Sequence, residues 1–125
     1  MNAEPCMDVA AIEKLIQIGG KEFASKMIDL FLSYVPEKLA EARAAGQTGD
    51  LFRVQKAVHP IKSSAANVGA RLMQDLAARL EQLAMDRRSE SVPELLDELD
   101  AAYAQVRSRL EQQREKWITG KENAP

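Results

Sequence analysis

The stretch DLFRVQKAVHPIKSSAANVGA, residues 50–70, decides the fold. Within it Leu51, Val54, Val58, Ile61, Ala65 and Val68 recur at alternating intervals of three and four. That spacing lays one buried stripe along an α-helix. His59, the single histidine of the chain, stands one residue off the stripe, about 100° around the helix axis. Lys62 follows one turn later on roughly the same side, and Ser63 and Ala66 are small. The pattern predicts an accessible imidazole with a cation beside it.

The rest of the chain also reads as helix. Ala, Leu, Glu, Gln, Lys and Arg dominate, all good helix formers, and strand alternation is missing. A short helix is expected from about Asp8 to Ile18, with Asp8 as N-cap and Gly19-Gly20 breaking it. A long helix follows from about Lys21 to Ala45. Phe23, Met27, Leu30, Phe31, Tyr34, Val35 and Leu39 give it a broad apolar face, and Pro36 should kink it. After a turn at residues 46–49 comes the His59 helix, ending near Val68. Gly69 is a hinge into a helix reaching about Asp86, with Leu72, Leu76, Leu80 and Leu83 inside. The last helix has Ser91 as N-cap, Pro93 in its first turn, and a stripe of Val92, Leu96, Leu99, Tyr103, Val106 and Leu110. Beyond Leu110 the stripe fades. The expected architecture is all-α: an antiparallel four-helix bundle with a short N-terminal capping helix. One domain should span residues 8–118, with residues 1–7 and 119–125 as flexible tails.

Composition excludes several functional classes. At 125 residues the chain suits one domain and can bury somewhat over 60% of its unfolded surface. A formal net charge of −2 argues against nucleic-acid binding by bulk electrostatics. No apolar run nears the roughly 20 residues of a membrane span, and no signal-peptide pattern opens the chain. The lone cysteine, Cys6, cannot pair internally, so a reducing, cytoplasmic location is expected. One histidine and one distant cysteine do not make a metal ligand set, and no Gly-rich phosphate loop is present.

A helix hairpin turning at Gly69-Ala70 carries a geometric rule. Residues on the two arms face each other when their numbers sum to about 140, which sets His59 opposite Glu81. A carboxylate there could accept a hydrogen bond from Nδ1–H of the imidazole. The ring would then be fixed in one tautomer, with the Nε2 lone pair towards solvent, as a nucleophile requires. Lys62 could offset charge arriving on the ring.

His59, Lys62, Ser63, Ala65-Ala66-Asn67, Val68-Gly69-Ala70 and Leu80-Glu81 together resemble the histidine phosphotransfer (HPt) domains of two-component phosphorelays. Ile12 to Leu39 is similar to the first two helices of those domains, and Gly49-Asp50 to the lead into their active helix. The resemblance covers roughly Asp8 to Leu110. It implies that His59 is the phosphoacceptor, Lys62 the phosphate-side cation and Glu81 the group that orients the imidazole. The chain departs from the pattern twice. Ser63 stands where Gly is most frequent. Pro60 removes a helix hydrogen bond to the carbonyl of Lys56, so a local bend at His59 is expected rather than a helix end.

The function implied is a phosphorelay intermediate. It would accept a phosphoryl group from a receiver-domain aspartate onto His59 and pass it to another receiver aspartate. It would have no kinase or ATPase activity and no cofactor of its own, Mg²⁺ being expected on the receiver partner. Response-regulator receiver domains and a hybrid histidine kinase are the expected partners, for a chain that is itself monomeric. Phe52, Gln55, Ser63 and Ala66 share the His59 face and are candidates for the docking surface, although Phe52 could equally serve the core. The alternative is a helical-bundle adaptor that binds receiver domains without being phosphorylated.

Overall fold

Asp8 caps the first helix by accepting a hydrogen bond at Oδ1 from the backbone N–H of Ala10, at 3.0 Å. The computed structural model describes residues 7–119. These form four helices: α1 Val9–Gln47, α2 Leu51–Val68, α3 Arg71–Met85 and α4 Val92–Thr119. No strand occurs among the described residues.

The expected short first helix and long second helix lie end to end in α1, and the break between them falls at Gly20, within the expected Gly19-Gly20 pair. Gly20 is the only interior non-helical residue of α1, at φ 83°, ψ 178°. This conformation is open to glycine and strained for other residues, so the kink falls there. Pro36 lies inside α1 and its backbone stays helical.

Each helix packs against two others: α1 on α2 and α4, and α3 on α2 and α4. The four therefore form a closed square of neighbours, linked in antiparallel order by short turns. The core takes Ile28, Phe31 and Val35 from α1, and Val54, Val58 and Ile61 from α2. From α3 come Met73, Leu76 and Leu80, and from α4 Leu99, Val106 and Leu110. Among the described residues no polar or charged side chain is buried.

Three expectations about the core need correcting. Leu30 and Tyr34 are exposed, because the stripe of α1 runs through Ala24, Ile28, Phe31, Val35, Leu39 and Ala42. Leu72 is exposed and Met73 takes its place in the core, while Leu76 and Leu80 are buried as expected. The stripe of α4 does fade beyond Leu110, as expected: the helix runs to Thr119 with no buried residue among 111–118, and only Trp117, half-buried, packs against the core there. At the other end Met7, assigned by sequence to a tail, is buried in the same cluster. The remaining tail residues, 1–6 and 120–125, lie outside the described part of the chain.

The turn from α2 to α3 sets the register of the site. Gly69 adopts the left-handed conformation, φ 78°, ψ 20°, as the cap of α2. Its carbonyl accepts from the backbone N–H of Asp8 at 2.6 Å. A Cβ at this position would lie 2.2 Å from the carbonyl oxygen of Asp8. Glycine is therefore required both by the dihedral and by the close approach of the α1 N-terminus.

Candidate functional site

Helix α2 starts at Asp50, whose side chain accepts from the backbone N–H of Arg53 at 3.2 Å. It buries Val54, Ala57, Val58, Ile61, Ala65 and Val68. The neighbour of Val58 on the outward side is His59, whose side chain is 66% exposed. Pro60 withholds a backbone donor, yet α2 runs unbroken from Leu51 to Val68. The exposure follows from helical angle, and of the residues a turn or two ahead on that face Ser63 and Ala66 are small, while Lys62 turns its ammonium to Glu81.

The hairpin brings Glu81 of α3 against both basic groups. His59 Nδ1 lies 2.7 Å from Glu81 Oε2, and Lys62 Nζ lies 2.5 Å from Glu81 Oε1. One carboxylate thus divides its oxygens between an imidazole and an ammonium. Glu81 is only 12% exposed and Lys62 33%. Burial alone would push the Glu81 carboxyl upwards. The hydrogen bonds from Lys62 and His59, with their charges, outweigh it and hold the group below its ordinary value. An ionised carboxylate can only accept a hydrogen bond, so Nδ1 carries the proton. In the neutral ring Nε2 then keeps its lone pair, on a side chain that is 66% exposed.

His59, Lys62, Ser63 and Ala66 line an open groove closed on the other side by Gln74, Asp75 and Ala78 of α3. Ser63 and Ala66 therefore join His59, as expected. Ser63 also donates from Oγ to the Pro60 carbonyl at 3.3 Å. Gln74, Asp75 and Ala78 were missed. The hairpin rule that found Glu81 also pairs Ala66 with Gln74 and Lys62 with Ala78, so the signal was available. Phe52 and Gln55 line a separate groove towards the start of α2, with Leu51, Met85 and Arg87. Phe52 is 66% exposed, which removes the core alternative, and Lys56 Nζ sits 5.2 Å from its ring centroid.

A family model for the Hpt domain matches residues 26–109. The chain belongs to the Hpt domain family. Hpt domains serve phosphotransfer relays in two-component systems, as carriers rather than kinases, and interact with receiver domains and histidine kinases. The match takes in most of α1, the whole His59–Glu81 hairpin and most of α4. Sensor protein TorS of Escherichia coli (strain K12) is 28% identical over 82 residues, 66% of this chain. The chain spans only 9% of the length of that relative. The Hpt fold is also similar to histidine-containing phosphotransfer protein B of Pseudomonas aeruginosa PAO1, with a TM-score of 0.86 at 24% identity. That match covers 91% of this chain and 98% of the other. No helix among the described residues is long and apolar enough to cross a membrane.

Proposed function

We propose that this Hpt domain accepts a phosphoryl group at Nε2 of His59 from a receiver-domain aspartate and passes it to the aspartate of another receiver. The observation that carries this reading is the 2.7 Å contact between His59 Nδ1 and Glu81, which leaves Nε2 as the free nucleophile on a 66% exposed side chain. In the forward step the N–P bond forms at Nε2 as the P–O bond to the aspartyl phosphate breaks, and the aspartate leaves as a carboxylate. The Nδ1 proton stays in its bond to Glu81, and the ring gains a positive charge that the Glu81 carboxylate offsets. The reverse sequence delivers the group to the next receiver. Positioning and charge compensation account for most phosphoryl-transfer catalysis, and an oriented imidazole meets the first need. Mg²⁺ would be held by the receiver, and a hybrid kinase carrying such a receiver is a fitting source of phosphate.

The test is incubation with candidate receivers charged with labelled phosphate. Acid-labile, alkali-stable label on this chain, lost in His59→Gln, is the expected result. Tight receiver binding with no label would replace this reading with the adaptor one.

A further inference from the structure

Lys62 is read most simply as a cation waiting for phosphate, but its ammonium is already committed. Its Nζ lies 2.5 Å from Glu81 Oε1, on the carboxylate whose other oxygen holds the imidazole. We propose that Lys62 is a positioning residue that acts on His59 through Glu81, keeping that carboxylate ionised and aimed at Nδ1, rather than a direct phosphate ligand. The proposal rests on the phosphoacceptor reading of His59 and names a regulator of that same site.

Three observations support it. First, Glu81 is 12% exposed, so water contributes little to keeping it charged, and burial favours its protonated form. Second, the groups that oppose burial are Lys62 and His59, and Lys62 is the larger influence. Third, a protonated Glu81 would have one oxygen turned donor, and the fixed Nδ1–H tautomer would lose its basis. Splitting the two carboxylate oxygens between two partners on α2 also restricts rotation of the Glu81 side chain. The carboxylate plane is then held for the ring even as the ring itself stays open to solvent.

A double-mutant cycle distinguishes the two roles for Lys62. In the wild-type background Lys62→Met should slow phosphoryl uptake from a charged receiver on the order of tenfold, the lower end for a charge-assisted contact. In a Glu81→Gln background the amide needs no counter-ion, and the added Lys62→Met change should alter the rate by no more than about twofold. Equal losses in both backgrounds, with an unchanged ring tautomer, would overturn the proposal and make Lys62 a direct phosphate contact. The second readout uses the unphosphorylated protein. The ¹⁵N shifts of the single imidazole should report Nδ1–H in the wild type and in Lys62→Arg, and a mixture of tautomers in Lys62→Met. Folding of each variant is checked by circular dichroism. If the wild type takes no label from any receiver, the proposed function fails, and the tautomer measurement alone then decides the role of Lys62.

Discussion

Two charge clusters tie pairs of helices in this bundle, and they are near mirror images in composition. On the α1–α4 side the Arg43 guanidinium binds two carboxylates. Its Nε donates to Asp100 at 3.0 Å and its Nη2 to Asp97 at 3.1 Å, with a second bond from Nη2 to Asp100. On the α2–α3 side the Glu81 carboxylate binds two bases, His59 and Lys62. The first cluster is made of groups that keep their charge at neutral pH, and each bond links one helix to its neighbour. The second includes an imidazole with one nitrogen bound and one free. The two clusters are thus built from the same number of ionisable groups, and the difference lies in the unused nitrogen of His59.

The largest expected effect breaks the reactive cluster alone. His59→Gln should abolish phosphoryl uptake while the helical circular dichroism spectrum is retained, since the side chain is mostly exposed. Persistent label at wild-type level would remove His59 as the acceptor.

The hairpin that sets the register of the Glu81 cluster comes next. Gly69→Ala forces a non-glycine residue into the left-handed region and drives a Cβ against the Asp8 carbonyl. A cost of about 1–3 kcal/mol is expected, measured by urea unfolding. An unchanged midpoint would show that the close approach relaxes freely.

Removing the carboxylate should have a smaller but selective effect. Glu81→Ala should slow phosphoryl uptake by about tenfold to hundredfold, the range for a charge-assisted hydrogen bond. Glu81→Gln should keep more activity, because an amide oxygen can still accept from Nδ1–H. Equal losses in both would mean that charge, not orientation, is the contribution of Glu81.

The pH dependence sharpens the contrast further. The folded-state carboxyl of Glu81 lies below its ordinary value of 4.5, so its pairing stabilises the fold above that pH. The contribution is lost as the pH falls through the lower folded-state value. The stability difference between wild type and Glu81→Gln should therefore be complete above about pH 4.5 and shrink on further acidification. A difference that grows towards acid would reverse the assignment.

The smallest effect belongs to the cross-tie. Arg43→Met should cost no more than about 1 kcal/mol in thermal unfolding, because the side chain is 40% exposed and water screens the pairs. Phosphoryl transfer should be unaffected. A loss of transfer would show that α1–α4 packing is coupled to the site.

Much of this was legible from residue order, because helices are specified locally. The three-four spacing from Leu51 to Val68 defined both the buried face of α2 and the outward direction of His59. Gly69 marked the turn, since a left-handed cap favours glycine, and the turn position alone placed Glu81 opposite His59. Asp8 was recognisable as a cap for the same local reason. What tertiary structure decided was how much of each apolar face is covered. Periodicity gives an angle around one helix, whereas burial depends on which neighbour lies at that angle. Leu30, Tyr34 and Leu72 therefore stayed exposed while Ala24 and Met73 went inside. The commitment of Lys62 to Glu81 belongs to the same class. Its place on the helix followed from spacing, but its contact with Glu81 depended on the distance across the hairpin, which only packing sets.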